Sequence, residues 1–143
     1  MGLALPAPMR VPADVQAKWR QVRVIGNRVV IAGHGPRGAD GSYGGPAGKV
    51  GGDLTVEQGY DAAKLTALAI LGDLKRELGD LDRVNAWVRV FGMVNSAPGF
   101  VAQAQVIDGF TDLMIELYGE DSALCPRAVA GMAELAFNSP VII

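Results

Sequence analysis

The stretch TVEQGYDAAKLTALAILGDLKRELG, Thr55–Gly79, decides how the rest of the chain is read. Tyr60, Ala63, Ala67, Ile70, Leu71, Leu74 and Leu78 recur at helical spacing and make one apolar face. Asp61, Lys64, Asp73, Lys75, Arg76 and Glu77 occupy polar positions. Thr55 and Gln58 form a capping box, Glu57 puts an anion in the first turn where the helix dipole favours it, and Gly79 is a stop. A helix with one apolar face needs a layer to lie on, and the flanking sequence offers strands.

Upstream, Gln21–Ile25 and Arg28–Ala32 are β-prone runs joined at Gly26-Asn27, a hairpin signal. The second run is almost wholly apolar, which predicts a place in the middle of a sheet. Residues 33–52 are rich in Gly, Pro, Asp and Ser and read as a long loop. Downstream, Asp80-Leu81-Asp82 is a turn, and Val84–Val94 alternates aliphatic against mixed residues, as a strand covered on one side does. Phe100–Tyr118 is a second helix with Val106, Phe110, Leu113, Met114 and Leu117 as its stripe and Gly109 as its weak point. Arg127–Leu135 is a strand, Asn138-Ser139-Pro140 a turn, and Val141–Ile143 a last short strand. The order β-β-α-β-α-β-β predicts an α+β sandwich, a mixed sheet with two helices on one face. Trp87 and Phe91 then mark an open apolar face, for which a closed homo-oligomer is the economical cover. Residues 1–18, broken by Pro6, Pro8 and Pro12, are expected to be an N-terminal arm on a single domain spanning 19–143.

The 143 residues fit one domain, and half of them are hydrophobic. A net charge of -2 with interspersed signs gives no footprint for nucleic acid, so no nucleic-acid partner is expected. No segment has the length and apolarity of a membrane span, and none has the form of a secretory signal. One cysteine, Cys125, suits a reducing cytoplasm. One histidine and one cysteine make a metal cluster improbable, and neither metal nor cofactor is expected. The glycine-rich loop lacks both the GxxxxGK[ST] and the GxGxxG patterns of phosphate cradles.

Chemistry therefore centres on Cys125-Pro126-Arg127, where a cation leads an apolar strand. A guanidinium there needs a carboxylate, a phosphate or a carbonyl, and its planar fork matches a carboxylate best. That carboxylate belongs either to a ligand or to one of the chain's own acids. His34, between glycines after a strand, is a candidate base or donor; the plainer alternative is a turn imidazole bonded to backbone. Asp108, Asp112 and Glu116 make a solvated row. Trp19, in Lys18-Trp19-Arg20, suits the wall of a pocket or an interface.

Several stretches together resemble the RidA (YjgF) family of enamine/imine deaminases, in a divergent form. They are Val29–Pro36, the Gly-Gly-Asp-Leu-Thr-Val-Glu-Gln-Gly run within Gly48–Ala63, Leu78–Val84 and Pro126-Arg127-Ala128, in that order from about Trp19 onward. The resemblance implies a chorismate-mutase-like fold, a homotrimer and a ligand site at each subunit interface. It implies hydrolysis of small carboxylate-bearing enamines or imines to 2-oxo acids and ammonia, with Arg127 holding the carboxylate. Trp19, where a tyrosine is usual, would line the site together with Gly33 and His34, and Asp108 stands where asparagine is common. Val129 stands where the deaminase branch has cysteine, Ile142 where it has glutamate, and Ala32 where it has serine. Those departures imply an alternative: a relative that binds a small carboxylate without deaminating it, or a pathway-specific enzyme. A ribonuclease reading finds no basic surface and no histidine pair.

Overall fold

The computed structural model describes residues 2–143. Strands β1 (Val22–Ile25) and β2 (Arg28–Ile31) form an antiparallel hairpin closed at Gly26-Asn27, with Gly26 at φ 59. Helix α1 (Val56–Leu78) follows the long loop. Strand β3 (Val90–Asn95), helix α2 (Gln103–Tyr118), a one-turn helix α3 (Glu120–Ala123), and strands β4 (Arg127–Met132) and β5 (Val141–Ile142) complete the chain. The fold is α+β, with β4 parallel and β5 antiparallel to a central β3. The two long helices pack on each other and on one face of this mixed sheet, α2 over β3 and β4, α1 over β5 and the hairpin.

Thr55 Oγ1 accepts from the Gln58 N–H while the Gln58 side chain accepts from the Thr55 N–H, so the capping box forms. A cap of this kind contributes about 1 kcal/mol. The inward stripe of α1 meets Val106, Ile107, Phe110, Leu113 and Met114 of α2 around fully buried Val50, Val94 and Val141. Gly109 permits this contact: a Cβ there would lie 2.1 Å from the Tyr60 carbonyl oxygen, which is backbone and cannot swing away. Gly109→Ala is therefore expected to destabilise the protein by about 1–3 kcal/mol despite alanine's better helix propensity, as chemical denaturation would show.

Three departures from the sequence reading have physical causes. First, β3 starts at Val90 rather than Val84. β4 offers no partner before Arg127, where the Val90 N–H meets the Pro126 carbonyl, so Val84–Arg89 joins no strand; its Trp87 N–H meets the Ser122 carbonyl instead, and Val88 is exposed. Second, β2 is not central. It pairs only with β1, and the hairpin joins the main sheet through reciprocal bonds between His34 and Ile143. Third, Asp73 is buried rather than on the polar face of α1.

Asp73 organises a charged cluster. Its carboxylate accepts from Arg37 (2.8 Å), Arg76 (2.5 Å) and the His34 ring (2.9 Å). Arg76 and Arg37 also donate to the carbonyls of Pro6 and Ala7. Ala7 and Arg10 donate their N–H groups to Ala39 and Gly41, so residues 6–10 are tied against the loop and α1.

Candidate functional site

Arg127 opens β4 and shares a sheet face with its partner Val90, the face turned to the helices. Its Nη1 donates to Asp108 Oδ1 at 2.9 Å and to Thr111 Oγ1 at 2.8 Å. Asp108 and Thr111 stand three apart on α2 and so project from the same side. Among the described residues, Nε and Nη2 have no hydrogen-bond partner. One tip of the fork is thus fixed, and the Nε–Nη2 edge, which binds a carboxylate in bidentate fashion, is left available. The side chains of Arg127 and Asp108 are 24% and 45% exposed, so this is a solvent-reachable position at the sheet's outer edge.

The structure thus brings Arg127 and Asp108 together and adds Thr111, which the sequence reading missed. Its signal was the three-residue spacing from Asp108. Asp112, from the same row, instead accepts from the Tyr60 hydroxyl at 2.8 Å. Val129 lies on Arg127's face and packs against the core. Ile142 pairs with Met93 while buried Val141 pairs with Val94, so Ile142 points to the opposite face. Burial pushes the Cys125 thiol up, against a smaller pull from Arg127, which disfavours a thiolate.

His34 lies elsewhere. Its ring is buried, with Nδ1 2.7 Å from the Ala32 carbonyl oxygen and Nε2 on Asp73. Both partners are acceptors, so both contacts are hydrogen bonds only when both ring nitrogens carry protons. With both nitrogens engaged in the core, the side chain has no edge for a ligand; its peptide meets Ile143. Gly33 borders a cavity of about 300 Å³ floored by Ile70, Trp87 and Phe110. Trp19 is half exposed on a neighbouring groove with Lys18, Arg20 and Arg23. Ile31 and Ala32 border both. The Arg127 pair sits on the outer strand β4, beyond β3, whereas Gly33 and Trp19 lie on the hairpin side of β5. One chain does not join these two groups.

Residues 2–142 match the model of a family described as "YjgF/chorismate_mutase-like, putative endoribonuclease". Protein TCP17 of Trypanosoma cruzi is 38% identical over 94 residues, covering 66% of this chain and 59% of that protein. The match therefore spans less than two thirds of that relative's length. A solved structure of a protein of unknown function from Agrobacterium tumefaciens superposes with a TM-score of 0.86 at 33% identity, over 99% of this chain and 82% of that one. A structure from Shewanella oneidensis, described as a putative endoribonuclease, also gives 0.86, at 26% identity over 99% of this chain and 89% of the other.

Proposed function

Because this chain belongs to the YjgF/chorismate mutase-like family, we propose that it acts as a RidA-type protein on small enamines or imines that carry a carboxylate. Arg127 holds the acid on its Nε–Nη2 edge, and water adds to the C=N carbon, giving a 2-oxo acid and ammonia. The observation that carries this reading is the half-occupied guanidinium: Asp108 and Thr111 fix Nη1, and the bidentate edge has no hydrogen-bond partner among the described residues on a side chain that is part exposed. Orientation of a planar acid by a pinned fork places the imine carbon in one position, which is the contribution a binding site makes to a bimolecular step with water.

Trp19 and Gly33 complete the pocket from a neighbouring subunit in a homotrimer. The separation of the two residue groups within one chain supports this, as do Trp19, Ile25, Val30 and Phe91, which are large apolar side chains exposed on the hairpin and β3. Sedimentation is expected to give three chain masses at micromolar concentration; a stable monomer would remove the shared site. No helix among the described residues is long and apolar enough to cross a membrane.

A second reading, a relative that binds the carboxylate without deaminating, is favoured by Val129. It lies on Arg127's face and carries no group to hold water. Ammonia release from imino acids generated in situ by an amino-acid oxidase separates the two. The deaminase reading expects acceleration over the enzyme-free rate, lost in Arg127→Ala. The binding reading expects no acceleration, with 2-oxo acids raising the melting temperature of the wild type only.

A further inference from the structure

The hairpin carries cations that the chain leaves unneutralised. Between Val15 and Ala39 the sequence has no acid, although the whole chain has a net charge of -2. Arg10, Arg37, Lys49, Arg76 and Arg127 each meet a carboxylate. Among the described residues, Lys18, Arg20, Arg23 and Arg28 meet none. The strand register gathers two of them on one face. Val22 and Ile31 pair and turn toward the core, so Arg23 with Val30, and Ile25 with Arg28, pair on the outer face. Arg23 and Arg28 are diagonal neighbours there, and like charges at that spacing repel. A local cluster of one sign without counter-charge draws an anion from outside the chain.

Lys18, Trp19, Arg20, Arg23 and Val30 line a groove of about 650 Å³, a size suited to a small molecule. The half-exposed indole of Trp19 supplies an apolar wall, and the two guanidinium forks supply donors for an acid. Trp19 is also the residue that the shared site proposed above sets against Arg127 of the partner subunit. We infer that the ligand of that site carries a second acidic group, bound in this groove by Lys18, Arg20 and Arg23. The substrate class is then a 2-imino acid whose side chain ends in an acid, rather than one with an apolar side chain. This specificity rests on the Arg127 reading, and the two can fail separately.

The test is calorimetric titration of 2-oxoglutarate and 2-oxopentanoate, which differ by a terminal carboxylate in place of a methyl group. The wild type, Arg20→Ala/Arg23→Ala and Arg127→Ala are compared, with sedimentation of each. The wild type is expected to bind 2-oxoglutarate at least about tenfold more tightly, and the ratio is expected to fall to about one in the double variant. Rising ionic strength is expected to shrink the wild-type ratio, because these cations are exposed. Equal affinities of the two acids for the wild type would overturn the inference. So would an unchanged ratio in the double variant; if binding is nevertheless lost in Arg127→Ala, the clamp stands and the groove falls. A smaller assembly in the double variant would make these cations a subunit contact and overturn the groove. Binding of 2-oxoglutarate that survives in Arg127→Ala but is lost in the double variant would uphold the groove and overturn the Arg127 reading. No binding of either acid to the wild type would overturn both.

Discussion

Asp73→Ala is expected to cost about 3–5 kcal/mol of folding stability, the range found when one partner of a buried ion pair is removed. The magnitude follows from what remains. The Arg37 side chain, 5% exposed, keeps its charge and loses the one carboxylate it meets among the described residues, and the His34 ring loses its Nε2 partner. Arg76, more open at 36%, adds less. Because Arg37 and Arg76 also hold the carbonyls of Ala7 and Pro6, amide exchange in residues 6–10 is expected to quicken in the same variant. Asp73→Asn keeps one acceptor and should cost less than Asp73→Ala. Equilibrium denaturation checks this; a loss below about 1 kcal/mol for Asp73→Ala would contradict the description of the cluster.

The same cluster sets a pH dependence. Burial alone would raise the Asp73 carboxyl. Donation from His34, Arg37 and Arg76 outweighs it and holds the folded-state pKa well below the usual carboxylate range. A group depressed in the folded state contributes its stability above the unfolded-state value, near 3.9 for aspartate, and loses it as pH falls toward the folded value. Wild-type stability is therefore expected to fall as pH drops below about 4, more steeply than that of Asp73→Asn.

Arg127→Ala carries the second large effect. It is expected to lower kcat/KM for imino-acid substrates by at least about 100-fold, since truncating one member of a bonded charge pair costs about 2–5 kcal/mol. The same substitution should barely change stability. The Arg127–Asp108 pair is part exposed, and pairs of that kind contribute about 0–1 kcal/mol. A large functional loss with a small stability loss distinguishes a ligand clamp from a structural ion pair. Arg127→Lys keeps the charge without the fork and should recover only a minor part of the activity. Full activity in Arg127→Lys would indicate that charge, not bidentate geometry, is what the site uses.

What the sequence made legible was local or periodic. The capping box at Thr55 and Gln58, the stop at Gly79 and the hairpin at Gly26-Asn27 depend on neighbours within four residues, and each formed as read. The stripe of α2 was equally plain, and the reason for Gly109 inside it emerged only with the crossing at Tyr60. Strand limits were harder to read. The alternation in Val84–Arg89 is genuine, but a strand needs a partner, and pairing is decided by where β4 begins. Asp73 looked like a surface acid because its partners His34 and Arg37 are 39 and 36 residues away. For the site, the fork-bearing Arg127 stood out as an unneutralised cation leading a strand. Its neighbours Asp108 and Thr111 are joined to it only by the packing of α2 across β4, which a linear pattern does not encode.

The most direct test of the clamp is calorimetric titration of pyruvate, a minimal 2-oxo acid, into the wild type and Arg127→Ala at equal concentration and neutral pH. Saturable binding to the wild type and none to the folded variant is the predicted result. Equal binding to both proteins, or none to the wild type, would contradict the assignment of the Arg127 edge to a ligand carboxylate.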